Sequence, residues 1–251
     1  MNFLFKPVFL NTIRMKSVWL MWVLGLLPFI NVIAMSINSN FLKMSGEKGT
    51  LSGFEYFSMN LGILHNMLLP TIILTFIISK IFYDELNSGI IFMYKDINRT
   101  HILFTKWLSI FIIHLIYIFI LFVSSTIVYF LFINNYDFSS GTLIPLPKYI
   151  ALAFTPTITL FFIEILTINF AILLSLNFPT GYTILGVLLF MIFTTIGPML
   201  DSVKYFIPTG YDDKIGTLGS VTVLLISLSI FTIYFIITYI YISYKYKKIE
   251  Y

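Results

Sequence analysis

Long apolar stretches broken by short polar segments dominate the chain. A helix rising 1.5 Å per residue needs about 20 apolar residues to cross roughly 30 Å of hydrocarbon. Six windows meet that need with few or no charges: Val18–Ile37, Leu61–Ile81, Leu108–Phe132, Tyr149–Leu174, Tyr182–Pro198 and Gly219–Tyr241. The uncharged run from Ile165 to Leu200 is too long for one crossing, and Asn177, Pro179 and Gly181 place a turn within it. The fifth window is short, and Gly197-Pro198 at its end marks a kink or a re-entrant segment. The pattern predicts an all-α membrane protein of six transmembrane helices, a single transmembrane domain over residues 1–251.

Orientation follows from basic residues in short loops. With a cytoplasmic N-terminus the inside holds Lys6, Arg14, Lys16, Lys80, Lys95, Arg99, Lys106, Lys245, Lys247 and Lys248, and the outside holds Lys43, Lys48, Lys148, Lys204 and Lys214. Trp19, Trp22, Trp107, Tyr241 and Tyr244 fall at the expected cytoplasmic ends as interface aromatics. Both termini are therefore expected inside. The first window runs into Asn38, Asn40 and Lys43 with no small-x-small cleavage site, so it reads as a retained span. Residues 2–17 predict a short basic helix lying in the cytoplasmic interface, with Phe9, Leu10 and Ile13 on its apolar side. An ordinary positive flank that fixes topology is the plainer alternative.

Composition sharpens this reading. Of 251 residues, 59% are hydrophobic and 10% charged, with a mean hydropathy of +0.95. A soluble domain carries about 45–50% apolar and about 25% charged residues. A water-soluble enzyme is excluded, because so apolar a chain would expose large patches to water. The absence of cysteine excludes disulfide scaffolds, thiolate metal sites and a cysteine nucleophile. A net charge of +4 is too small to imply nucleic acid. The 13 Lys against 2 Arg, with only four Ala, suggest an AT-rich coding genome.

The segment between the second and third windows, Phe82–Lys106, is too polar to enter lipid and too apolar for a solvated linker. Leu86, Ile90, Met93, Tyr94 and Ile97 recur at helical spacing and predict a short amphipathic helix, with Asp84 and Glu85 suited to its N-terminus. Such a face fits a protein groove, with an interfacial helix binding only lipid as the alternative.

Here the sequence resembles the membrane subunits of ABC-2 type exporters. Their pattern is an acidic residue, a small-Gly pair, an apolar helix, a Ser/Thr-Arg step and a Lys entering the third span. Glu85, Ser88-Gly89, Ile90–Ile97, Asn98-Arg99 and Lys106 fill those places. Asn98 departs from the usual Ser or Thr, and the Pro often found before it is absent. The resemblance spans the chain in architecture but only some 25 residues in motif. It implies docking of Glu85, Leu86, Gly89, Ile90, Met93, Tyr94, Ile97 and Arg99 into a separate ATP-binding cassette subunit. It further implies a facing second membrane subunit, identical or paralogous, and export from a bacterial cytoplasmic membrane. This chain has no Gly-Lys pair and hence no P-loop, so ATP and Mg would sit on the partner and the chain itself would carry no cofactor and no catalysis. The Lys, Phe and Ile content resembles permeases of low-GC Gram-positive bacteria that export amphipathic peptides. Clearance of lantibiotic-like peptides or drugs for self-protection is the close alternative.

Glu164 is the one charged residue well inside a predicted span, and such residues are costly unless they face a partner or water. At 100° per residue, Ala153, Thr157, Glu164, Thr167, Ala171 and Ser175 fall within about 60° of one line, a small, polar face. Glu164 either ties two helices together or lines the path of a cationic substrate, with Thr157, Thr167 and His114 as path candidates. His114 lies within about 6 Å of the depth of Glu164, so a pair is geometrically open. Alone, His114, His65 and His101 read as packed or interfacial residues, and their scatter makes no metal site. Asp212-Asp213 beside Lys214 reads as an exposed charged turn. The motifs of intramembrane proteases are absent. A secondary transporter is the remaining rival, although Pro70, Pro156 and Pro179 do not mark two equivalent halves.

Overall fold

The computed structural model describes residues 2–36, 47–89 and 97–248, and among them regular structure is helical apart from one bridge between Leu51 and Ser139. In chain order the helices are α1 (Asn2–Ile13), α2 (Lys16–Leu24), α3 (Pro28–Ser36), α4 (Gly53–Asn66), α5 (Leu69–Ser79), α6 (Glu85–Asn87), α7 (Arg99–Leu131), α8 (Ile150–Ser175), α9 (Thr180–Ile196), α10 (Ile215–Leu218) and α11 (Ser220–Lys247). Among the described residues, α7, α8, α9 and α11 are long and apolar enough to cross a membrane. The bent unit from α4 to α6 makes a fifth if counted as one.

Two expected straight spans are broken. Val18–Ile37 is built as α2 and α3, separated by Gly25-Leu26-Leu27 before Pro28. Proline is at home in a first helical turn and cannot continue a helix that needs its N–H. Gly25 sits against α7: an added Cβ would come within 2.9 Å of the Ile120 side chain, and the Ser124 hydroxyl donates to the Gly25 carbonyl at 2.6 Å. Leu61–Ile81 is likewise two helices, bent by 62° at Met67-Leu68. Pro70 in the first turn of α5 has no N–H to reach back across the bend, and Leu68 takes the left-handed region at φ 61°.

The other windows survive with shifted ends. α7 has 33 residues and is about 50 Å long, so it starts well before the expected Leu108. The turn expected near Asn177–Gly181 joins α8 to α9, and Gly197-Pro198 opens a run of 3-10 turns that ends at Lys214. α8 is the central helix: 56% of its apolar window is buried, against 11% for α11. α1 lies along α7 with Phe9 and Ile13 packed inward, but Leu10 is 44% exposed and does not share their side.

Polar contacts join the helices. The Trp22 indole donates to the Ile113 carbonyl, and the Trp107 indole donates to Asn169, whose amide donates to Thr238. Trp22 and Trp107 thus tie neighbouring helices together through their indole N–H groups while remaining half-buried. Asn31 of α3 donates to Tyr56 and Asn60 of α4. Apolar burial drives little association between helices in lipid, so contacts of this kind and close packing carry the specificity.

At one end of the bundle, the loop face, residues 49–54 pair with 137–143 through backbone hydrogen bonds. The buried Tyr129 hydroxyl fastens them: it donates to the Leu51 carbonyl at 2.8 Å and accepts from Ser139 and the Gly141 N–H. At the other end, the tail face, α7 starts and α11 stops, with Arg99 donating to the Lys247 carbonyl and Lys245 to Asn177. Tyr129→Phe should strand the groups that meet the hydroxyl and lower stability by about 1–3 kcal/mol. Thermal melting in detergent reads this as a drop of several degrees, and an unchanged midpoint would remove the clamp from the account.

Candidate functional site

Glu164 lies roughly halfway along α8, with its side chain 11% exposed. His114 of α7 places Nε2 3.0 Å from Glu164 Oε2, a hydrogen bond, and His65 of α4 places Nδ1 3.9 Å from Oε1, within ion-pair reach. Both histidines are buried. The Nδ1 atoms of both have no hydrogen-bond partner among the described residues. Sequence reasoning left the His114 pair open and missed His65, because the bend that delivers it was read as a straight helix.

A cavity of about 20 Å³, the size of one water, sits beside the carboxylate. Helices α2, α4, α5, α7, α8 and α9 all reach it, through Met21, His65, Pro70, His114, Thr167 and Met191 among others. α5 begins at this cavity, so its N–H-bearing, positive end approaches the carboxylate region. The neighbouring Tyr117 ring is buried against His114, with centroids 5.8 Å apart. A carboxylate shared by two imidazoles can hold a proton among three groups, pair with a cation, or simply tie three helices. No group of three His, Asp or Glu among the described residues is placed to hold a metal ion.

The expected path residues divide between two spaces. Glu164, His114 and Thr167 line the inner cavity, whereas Thr157 lies two turns away toward the loop face in a larger groove. Thr157 Oγ is 2.7 Å from Ser58 Oγ of α4. Ser58 and Thr157 each precede the His65–Glu164 pair by seven residues, so one parallel α4–α8 face carries both contacts. Asp212 corrects its expected place on an exposed turn: it is half-buried and accepts from the Thr159 hydroxyl at 2.8 Å. The 3-10 turn that carries it lies so close to Lys204 that a Cβ on Gly210 would meet the Lys204 carbonyl at 1.8 Å, and only glycine fits. No spacing rule signals that fold-back.

At the tail face the motif residues are partly in view. Ile90, Met93 and Tyr94 lie outside the described residues. Glu85 Oε2 accepts from Lys106 Nζ at 2.7 Å, and the same ammonium donates to the Ile81 carbonyl and stands over the Phe82 ring. Lys106 is only 1% exposed. Asp84 pairs with Lys80 at 2.7 Å. Both acids pair with lysines, and a π turn at Lys80–Asp84 continues α5 into the short α6 that Glu85 opens; most of the amphipathic helix expected beyond it lies outside the described residues. Gly89, at φ 74°, ends that unit in the left-handed region. Leu86 and Ile97 pack half-buried against the core. Asn98 caps α7 by accepting from the Thr100 N–H at 3.0 Å. That role accounts for Asn where the resembled pattern has Ser or Thr, for all three cap helices equally well.

No protein-family model matches the chain, and no curated protein or solved structure shows significant similarity to it.

Double-mutant cycles on unfolding free energy should show a larger coupling for Glu164 with His114 than for Glu164 with His65, the first at about 1–3 kcal/mol. Equal, near-zero couplings would reduce the cluster to coincidence. Burial pushes the Asp212 carboxyl up to about 6, with Thr159 opposing and Asp213 adding to the rise. The folded state then binds more protons than the unfolded one between the ordinary carboxylate range and about 6. Asp212's contribution to stability should consequently fall as pH rises across that window and stay flat above it. Asp212→Asn should remove this slope in pH-dependent melting, and an unchanged slope would contradict the buried placement.

Proposed function

We propose that the chain is the permease subunit of an ATP-driven ABC-2 type exporter in a bacterial cytoplasmic membrane. On this reading it makes six crossings, with α2–α3 and α4–α5 each one broken crossing. The loop face is outside, and both termini and the tail face are cytoplasmic. The segment between the second and third crossings docks the ATP-binding cassette subunit, which holds ATP and Mg. A second membrane subunit, identical or paralogous, faces this one. The cargo is an amphipathic peptide or another hydrophobic compound leaving a Gram-positive cell, with exporters of staphylococcal phenol-soluble modulins as the nearest candidates. Clearance of lantibiotic-like peptides or drugs uses the same architecture.

The single observation that supports the reading most is the Glu85–Lys106 pair. It joins the first and last charged residues of the resembled pattern in a nearly dry contact. A buried pair of this kind is costly to break from one side, so it behaves as a rigid joint. Displacement of the docking segment by ATPase closure would pull α5 through Glu85 and α7 through Lys106. α5 begins at the Glu164 cavity and α7 carries His114, so both levers end at the same carboxylate.

One specific observation favours a second reading, a proton-driven secondary transporter: a buried carboxylate between two imidazoles beside a broken helix. Purification of the tagged chain from its own cells, followed by reconstitution, separates the two. The exporter reading expects a stoichiometric P-loop ATPase without membrane spans and peptide-stimulated ATP hydrolysis. Glu85→Ala should cut that stimulation about tenfold without loss of the folded chain. Efflux driven by an imposed proton gradient with no ATPase present, abolished by Glu164→Gln, would replace it with the second reading.

A further inference from the structure

An open groove of about 750 Å³ lies at the loop face between α4, α8 and the 3-10 turn at Pro208–Lys214. Small-molecule sites typically enclose about 300–1,000 Å³. Its walls are largely apolar, with Met59 of α4 facing Leu152, Pro156 and Leu160 of α8. Three carboxylates, those of Glu47, Glu55 and Asp212, also line it, and no Lys, Arg or His among the described residues does.

Among the described residues, the basic side chains nearest in sequence have contacts other than the three acids. Lys48 pairs with Asp137 at 3.6 Å, Lys148 stands at the groove's edge over the ring of Tyr149, itself a lining residue, at 5.3 Å, and Lys214 donates to the Tyr205 hydroxyl at 3.0 Å. Glu55 uses Oε2 to complete the cap of α4 with Ser52, and Asp212 accepts from Thr159. No ion pair among the described residues reaches any of the three acids. Apolar walls beside carboxylates that have no ion pair among the described residues, two of them half-buried and Glu47 exposed at the rim, select a ligand with both properties inverted.

We propose that this groove binds an amphipathic cation, with its apolar body along α4 and α8 and its cationic head among Glu47, Glu55 and Asp212. A neutral apolar compound would leave the acids unpaired, and an anion would be repelled. The inference names the class of cargo for the transport reading above. Occupancy of the groove itself depends on neither ATP nor a gradient, so failure of either power source leaves it standing.

The test is binding of tritiated tetraphenylphosphonium to the purified full chain in nanodiscs, measured by scintillation proximity. Binding should be saturable, displaced by dodecyltrimethylammonium and untouched by neutral triphenylphosphine oxide. Glu55→Gln with Asp212→Asn should weaken it at least tenfold, since both carboxamides keep the local hydrogen bonds and lose only charge. Gly62→Leu offers a second, independent block. A Cβ at Gly62 meets nothing within 4 Å, so the fold tolerates the change while the side chain fills the groove. If the carboxamide variant fails to fold, as read by its melting midpoint, Gly62→Leu decides. Absence of saturable binding, equal displacement by the neutral oxide, or wild-type affinity in either folded variant would overturn the proposal.

Discussion

A carboxylate in the middle of an apolar bundle must find its partners inside the protein, and Glu164 finds two histidines from two other helices. That requirement organises the rest. Leaving such a group unpaired in a low-dielectric interior is costly, so the arrangement of α4, α7 and α8 is restricted to those that bring His65 and His114 within reach. The bend at Met67-Leu68 is part of the same solution. It ends α4 just past His65 and starts α5 at the cavity wall, with a left-handed non-glycine residue held in place by the surrounding packing.

The bundle repeats this logic at each end with different chemistry. At the tail face a buried lysine meets Glu85 and a backbone carbonyl, joining the end of α5–α6 to α7. At the loop face a tyrosine hydroxyl gathers two loops. Between them the α4–α8 face carries Ser58–Thr157 and His65–Glu164 seven residues apart, two helical turns. Satisfied polar contacts thus fix the register of helices whose apolar surfaces are interchangeable in lipid. The loop-face groove is the exception. Its three acids have no ion-pair partner among the described residues, so the polar contacts that close the other sites are missing there.

Much of the architecture was legible in the sequence because apolar length is a strong signal. α8, α9 and α11 match their windows closely, and the charge-free Ile165–Leu200 run divides where Asn177, Pro179 and Gly181 require. The broken helices were not legible in the same way. Hydropathy averages over Gly25–Pro28 and Met67–Pro70, and only the proline at each break carries a local reason for it. Glu164 stood out because a charge in a span is rare, and depth alone made His114 a candidate. His65 required the bend, and Asp212 required a fold-back that depends on Gly210 having no side chain. Neither follows from spacing along one helix.

The central claim is that the bend sets α4 in parallel register on α8, so that Glu164 meets its histidines. The chain has no native cysteine, so Ser58→Cys with Thr157→Cys can be oxidised without background. Their hydroxyl oxygens are 2.7 Å apart, so the two side chains touch across the α4–α8 contact. The account predicts rapid and nearly complete cross-linking of this pair in membranes, with Ser58→Cys and Thr155→Cys failing to cross-link. Rapid cross-linking of the second pair instead, or none in the first, would contradict the register on which the site rests.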